Sequence, residues 1–327
     1  MRSTWTRRIF ALSRALSGQG CPRSQRHNGS NSRKPDHTGS LSRERALPYL
    51  LVAPTVAVLL ALAIYPLLYA MKVSLRTGMG AGARWTLENF ARLAGDRFFL
   101  DALGHTFIYA SAALTLEFLL GLGLAVLLNA ELRGRSFVRA ALLVPMMLPP
   151  VVVGVVWRLM LNPDFGAING TLKAAGLNTE ALTWLASPRL ALASVIAVDV
   201  WQWTPFMFLV LLAGLQAIPQ EPYEAARVDG ASAWQTFRHI TLPLLKPAIL
   251  IALLLRTMDL LRVFDQIFIL TEGGPGFATE TVSLYIYRTA FRFFDFGYAA
   301  AMSFVLLLLT NIISLLYIRL LQRREAA

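Results

Sequence analysis

The residues best placed to do chemistry in this chain are charges lodged in long apolar runs. Asp199 stands in one run, Arg256, Asp259, Arg262 and Asp265 recur every three residues through another, and Glu117 and Arg158 interrupt two more. Holding each in lipid costs at least about 2.5–3.5 kcal/mol, so each needs a partner or a use. At helical spacing Asp199, Trp203 and Phe206 share one face, and Arg256, Asp259, Leu260 and Val263 share a face of the later run. A carboxylate beside a flat aromatic ring suits a polyhydroxylated guest: the carboxylate accepts from hydroxyls and the ring meets the C–H face. These two faces form the candidate substrate path. The same residues also suit a structural role. Steps of three turn by about sixty degrees, so the four charges wind round the helix and can pair at i,i+3 as a ladder at a subunit interface. Trp203 and Phe206 equally suit core or lipid-facing positions. Glu117 and Arg158 are secondary candidates, Arg158 being near enough to a run's end to snorkel to the interface.

Residues for other chemistries are missing. No Gly-x4-Gly-Lys-Ser/Thr phosphate loop occurs, so the chain cannot cradle ATP in the usual way, and any energy it uses must come from an ion gradient or from a partner ATPase. His27, His37, His105 and His239 stand in no metal-binding spacing, and the single Cys21 supports neither an intramolecular disulfide nor a metal site. No catalytic residue, metal or cofactor is expected, and no acid–base cluster supports a membrane-embedded transferase.

One polar interval, residues 224–247, divides the second half of the chain. It reads Glu224-Ala225-Ala226, then Gly230 at the sixth position after the glutamate, then Ile240-Thr241-Leu242-Pro243. Residues 221–229 are good helix formers, and Gly230 can take the left-handed conformation that ends a helix. Ser232 with Gln235 three residues on forms a capping box that opens a second helix. Tyr223, Ala226, Trp234 and Phe237 give this helix–turn–helix an apolar face among charged neighbours. An interfacial amphipathic helix pair is the bland alternative.

The elements that must position these residues are membrane spans. The 327 residues are 56% hydrophobic and 15% charged, with mean hydropathy +0.53, whereas soluble domains carry about a quarter charged residues. Apolar runs at 47–71, 107–128, 137–161, 191–215, 249–270 and 298–321 predict about six transmembrane helices in an all-α polytopic protein. Pro145, Pro149 and Pro150 predict a broken or kinked third span. The formal charge of +12 is concentrated at the start: ten of the 31 Lys and Arg fall in residues 1–45. Such a tail suits an anionic cytoplasmic leaflet, and no nucleic-acid-reading motif accompanies it. Its Arg7-Arg8 pair lacks the apolar run of a twin-arginine signal, since Arg14 intervenes, and a start codon set too far upstream would also account for the tail. The domain plan is a disordered basic tail (1–45), a transmembrane body (46–322) that includes the polar loop at about 218–247, and a short C-terminal tail (323–327). Short loops on the two sides carry equal numbers of Lys and Arg, so only the basic N-terminal tail places both termini in the cytoplasm.

The 224–243 pattern resembles the EAA loop of binding-protein-dependent ABC transporter permeases, whose cytoplasmic loop docks on a separate ATPase. Trp201-Gln-Trp203-Thr-Pro205-Phe206, Asn162-Pro-Asp164-Phe-Gly166, Thr271-Glu-Gly273-Gly274-Pro275-Gly276 and Phe294-Asp295-Phe296-Gly297-Tyr298 are similar to the carbohydrate-uptake subfamily, over roughly residues 47–322. The resemblance implies a type I ABC importer permease in the bacterial inner membrane that passes a sugar, oligosaccharide or related polyol. It implies coupling residues Tyr223, Glu224, Ala225, Ala226, Asp229 and Gly230. It also implies a second homologous permease, two ATPase copies and an extracytoplasmic binding protein as partners, within the lipid bilayer and without nucleic acid. A stand-alone Na⁺- or H⁺-coupled transporter using Asp199 and Asp259 is the alternative.

Overall fold

The computed structural model describes residues 40–77, 84–130, 133–179 and 182–322. Two compact units divide the chain at residues 1–62 and 63–327. The described part of the first is the beginning of helix α1 (Ser40–Ser74), which starts inside the expected tail. The remainder of that tail, and residues 323–327, lie outside the described residues.

In the second unit, α1 ends at a two-residue ribbon of β1 (Arg76–Thr77) and β2 (Arg84–Trp85), with Arg76 opposite Trp85. Helix α2 (Glu88–Gly95) leads to Asp96, which caps α3 (Arg97–Asn129) by accepting from the Phe98 and Phe99 amides at 2.9 and 3.3 Å. That cap starts the second span at Arg97, ahead of the expected 107. The third run is broken as its prolines require. Helices α4 (Arg135–Met147) and α5 (Pro150–Met160) meet at 95°, because Pro149 and Pro150 supply no N–H to continue the first helix. Then come α6 (Ala167–Ala174) and the long α7 (Pro188–Gln216).

The coupling interval folds as α8 (Glu221–Val228), α9 (Ala233–Thr236), a π-helical turn (Phe237–Thr241) and α10 (Leu242–Leu260). Here the expected span 249–270 is corrected at both ends. The coupling hairpin's second helix runs without a break into the span, giving one element from Ala233 to Leu260. After Leu260 the chain turns, and Asp265–Leu270 forms a separate helix, α11. Apolar residues resume on both sides of Arg262, and no Gly or Pro marks the turn, so spacing alone concealed it. Helices α12 (Val282–Phe291) and α13 (Phe296–Gln322) complete the chain. Five helices are long and apolar enough to cross a membrane, and the bent α4–α5 pair makes six if counted as one span.

Helices α3 and α7 run side by side in the same direction. Tyr109 and Ala113 share a buried cluster with Val195 and Val198, while Ala125 and Leu128 share another with Leu211 and Leu215. Their close approach depends on glycine: a Cβ at Gly121 would lie 2.6 Å from that of Met207. Helix α10 returns antiparallel, with a Cβ at Gly214 of α7 only 2.5 Å from Ala248 Cβ. Small residues at such crossings are how membrane helices gain packing without a hydrophobic drive between them.

Candidate functional site

The hairpin is built from caps. Gly230 takes φ +74°, the Ala231 amide donates to Ala226 O at 2.9 Å and the Gly230 amide to Arg227 O at 3.2 Å. This is a complete Schellman motif, and it reverses the chain at the residue the sequence marked. Ser232 then opens α9 with both bonds of a capping box: the Gln235 amide reaches Ser232 Oγ at 3.3 Å, and the Ser232 amide reaches Gln235 Oε1 at 2.8 Å. Pro243, lacking an N–H and crowding the carbonyl four residues back, accompanies a widened turn in which Leu242 N donates to Phe237 O. Tyr223 OH donates to Thr241 Oγ1 at 3.1 Å and ties α8 to that turn.

Glu224, Ala225 and Asp229 are exposed, whereas Ala226 is 6% exposed and packs within its own chain. Val228, which the sequence reading did not single out, is 87% exposed and extends the outward face. Trp234 and Phe237 stack at 5.7 Å between ring centroids.

Deeper between the spans lies a polar layer. Arg256 of α10 grips Glu117 of α3 with two bonds, Nε to Oε2 at 2.7 Å and Nη2 to Oε1 at 2.8 Å. Its Nη2 also bonds Asp199 of α7. All three side chains are at most 3% exposed. The Arg256 guanidinium stands 4.9 Å from the centroid of the Trp203 ring. Next to the triad, Gln266 of α11 donates to Gln202 Oε1 at 2.6 Å, Tyr109 OH donates to Gln266 Oε1 at 3.5 Å, and Gln202 Nε2 donates to Leu148 O at 3.0 Å. Leu148 lies at the proline break between α4 and α5, so Gln202 meets a carbonyl which that break frees. Irregular backbone at membrane depth persists where protein groups meet it in this way.

Asp199, Trp203 and Arg256 therefore come together, and Phe206 lies half-buried a turn further along α7. The remaining path residues do not join them. Asp259 is more than half exposed and approaches Arg262 at 3.8 Å. Leu260 is fully buried in the core. Val263 lies past the end of α10, so the shared helical face expected for it is corrected: the helix stops three residues short. The expected ladder is corrected too. Only Asp259 and Arg262 pair in sequence, and Arg256 turns to other helices instead. Arg158 reaches across to Ile269 O at 3.0 Å, joining α5 to α11. Gln202, Gln266 and Tyr109 were not anticipated; the one sequence signal for Gln202 was its place between Trp201 and Trp203.

At the ends of the helices away from the hairpin, Asp96 accepts from the Tyr285 hydroxyl at 2.8 Å and from Tyr298. Burial works to raise the Asp96 carboxyl, but the bonds from Tyr298, Tyr285 and the Phe99 and Phe98 amides prevail and hold it below the usual carboxylate value.

Membrane-length helices thus meet at a buried polar layer and carry a capped hairpin at one end. The chain belongs to the family of binding-protein-dependent transport system inner membrane components, whose model matches residues 117–326. It is a multi-pass permease subunit of an ABC importer. It is 40% identical over 283 residues, 85% of this chain and 94% of the relative, to the trehalose/maltose transport system permease protein MalF of Thermococcus litoralis. It is 36% identical to the lactose transport system permease protein LacF of Rhizobium radiobacter, over 82% of this chain and 91% of that one. Among solved structures, a bacterial ABC transporter that imports the acidic polysaccharide alginate matches with a TM-score of 0.77 at 25% identity, over 87% of this chain and 98% of that one.

Proposed function

We propose that this permease passes a neutral carbohydrate inward across the inner membrane. The observation that carries the reading is the polar layer, where Trp203 offers a ring face beside the engaged Arg256, and the buried Gln202 and Gln266, bonded to each other, brace the helices that hold it. The sugar names of the relatives support the same chemistry. Phe206 on α7, with Asp259 and Val263 at the end of α10 and beyond it, completes the proposed path, and Leu260 backs it from the core. The hairpin docks on an ATPase through the exposed Glu224, Ala225 and Asp229, with Val228 adding apolar contact, while Tyr223, Ala226 and Gly230 set its shape. A second homologous permease, two ATPase copies and an extracytoplasmic binding protein complete the importer. Both termini lie on the ATPase side.

The test is uptake into proteoliposomes holding the assembled importer. Labelled trehalose, maltose or lactose is expected to enter only with ATP hydrolysis and the binding protein present. Uptake of amino acids in place of glycosides would overturn the substrate reading, and uptake that persists without hydrolysis would overturn the coupling.

A further inference from the structure

At the end of α3 remote from the hairpin, α3, the loop before α12, α12 and the start of α13 enclose a cavity of about 510 Å³. Buried side-chain polar atoms without a protein partner, among the described residues, are Arg76 Nε, His105 Nδ1, Arg139 Nε, Thr204 Oγ1, Glu280 Oε1 and Thr289 Oγ1. His105, Glu280 and Thr289, half of that set, line this one cavity. Glu280 and Thr289 are each only 4% exposed. Polar groups buried without partners are costly, so their gathering around one space calls for a cause.

The Glu280 environment shows what is lacking. Arg288 Nη1 bonds Glu280 Oε2 at 2.5 Å, and its Nη2 bonds Glu272 O, which leaves Oε1 unmet. Burial lifts the Glu280 carboxyl above its usual value against the pull of Arg288. A carboxylate oxygen needs a donor, the Thr289 hydroxyl donates and accepts, and the His105 nitrogen does either according to tautomer. Hydroxyl groups on a guest serve all three. An anion would offer Glu280 nothing and would meet Asp101, Glu280 and Asp295 against only Arg92 and Arg288. The walls add flat apolar surface. Phe98 and Phe277, both more than half exposed, meet edge to face at 5.9 Å between centroids. The volume lies within the range of about 300–1,000 Å³ found for small-molecule sites.

We infer that this cavity is a second carbohydrate subsite, at the outer mouth and apart from the path at Trp203, taking a neutral mono- or disaccharide. The inference rests on the carbohydrate reading above. A rotamer change at Glu280 or Thr289 turns the unmet oxygens toward the guest's hydroxyls, and the Phe98 and Phe277 rings face its C–H surface. A sugar then binds here before it enters the spans.

The experiment uses the assembled importer with trehalose, maltose and lactose as probes. Binding is read by saturation-transfer NMR and uptake by KM and kcat. Glu280→Gln is expected to raise the uptake KM about tenfold, the loss of one charge-assisted bond, with kcat unchanged; Thr289→Val is expected to raise it less. In a Cys21→Ser background, Phe277→Cys modified with a bulky maleimide after assembly is expected to abolish the saturation-transfer signal from the outer site. Because the block is added after assembly, misfolding cannot produce that result. If the unmodified importer takes up sugar while the block and both variants leave signal and KM unchanged, the subsite falls and the carbohydrate reading stands. If the assembled importer hydrolyses ATP but takes up none of the probes, the carbohydrate reading falls.

Discussion

The coupling hairpin and the polar layer are both polar interruptions of an apolar chain, yet they are specified in opposite ways. Every bond that shapes the hairpin lies between residues at most eighteen apart, the longest joining Tyr223 to Thr241. The layer joins Arg256 to Glu117 across 139 residues and to Asp199 across 57. A cap is a local contract between neighbours, whereas an intramembrane ion triad exists only once three helices have packed. The hairpin should therefore fail piecemeal, in docking and coupling, and the layer should fail as a unit, in assembly and stability.

Removing Arg256 is expected to have the largest effect. Arg256→Met strands two carboxylates that are at most 2% exposed, and breaking a buried pair by deleting one partner costs about 3–5 kcal/mol. Heating the purified permease complex should show a large loss of melting temperature and of yield. Restoring charge balance in the triple variant Glu117→Gln, Asp199→Asn, Arg256→Met should recover most of that stability without recovering transport. If the single variant melts like the unaltered protein, the triad does not hold the spans together.

Two glycines sharpen the contrast further. Gly121→Leu forces side-chain atoms into Met207, whose Cβ would lie 2.6 Å from a new Cβ, and such overpacking costs about 1–3 kcal/mol. It should weaken the packing of α3 on α7 and reduce assembly. Gly230→Val meets no atom within 4 Å, so its penalty comes from holding a branched residue at φ +74°, about 1–2 kcal/mol. Membrane insertion and pairing with the second permease should survive in Gly230→Val, while ATPase docking and ATP-driven uptake are lost. Ser232→Ala, which removes half of the capping box, should act in the same direction at about 1 kcal/mol. Normal uptake in Gly230→Val, or failed assembly with intact docking, would reverse the comparison.

The same division sets what was legible in the sequence. Gly230, Ser232 and Gln235 announced the hairpin because caps depend on residue type at fixed short spacing, and Pro145, Pro149 and Pro150 announced the 95° break for the same reason. Periodicity placed Asp199 and Trp203 on one face of α7. It could not say which helix faces them, so Arg256 was read against Asp259, its neighbour in sequence, rather than against Glu117 on α3. Val263 falls off the shared face because Leu261, Val263 and Phe264 around Arg262 suit a helix as well as they suit the turn that ends α10. The inward turn of Ala226 and the outward turn of Val228 depend on how α8 lies against the rest of the hairpin, which spacing alone leaves open.

The smallest structural effect is expected at Asp259, and it bears on function more directly than any other. Its contact with Arg262 is 3.8 Å long, with both side chains more than half exposed. Pairs of this kind contribute about 0–1 kcal/mol. Asp259→Ala should thus leave melting temperature and assembly nearly unchanged, unlike Arg256→Met a single helical turn earlier. Any loss of uptake then reports on the path itself, because no packing defect accompanies it. If Asp259 accepts from a passing sugar, uptake should fall through a higher KM, and Asp259→Asn, which keeps an acceptor oxygen, should restore part of it. Uptake indistinguishable from the unaltered importer in both variants would remove Asp259 from the path and leave Trp203 and the triad as its wall.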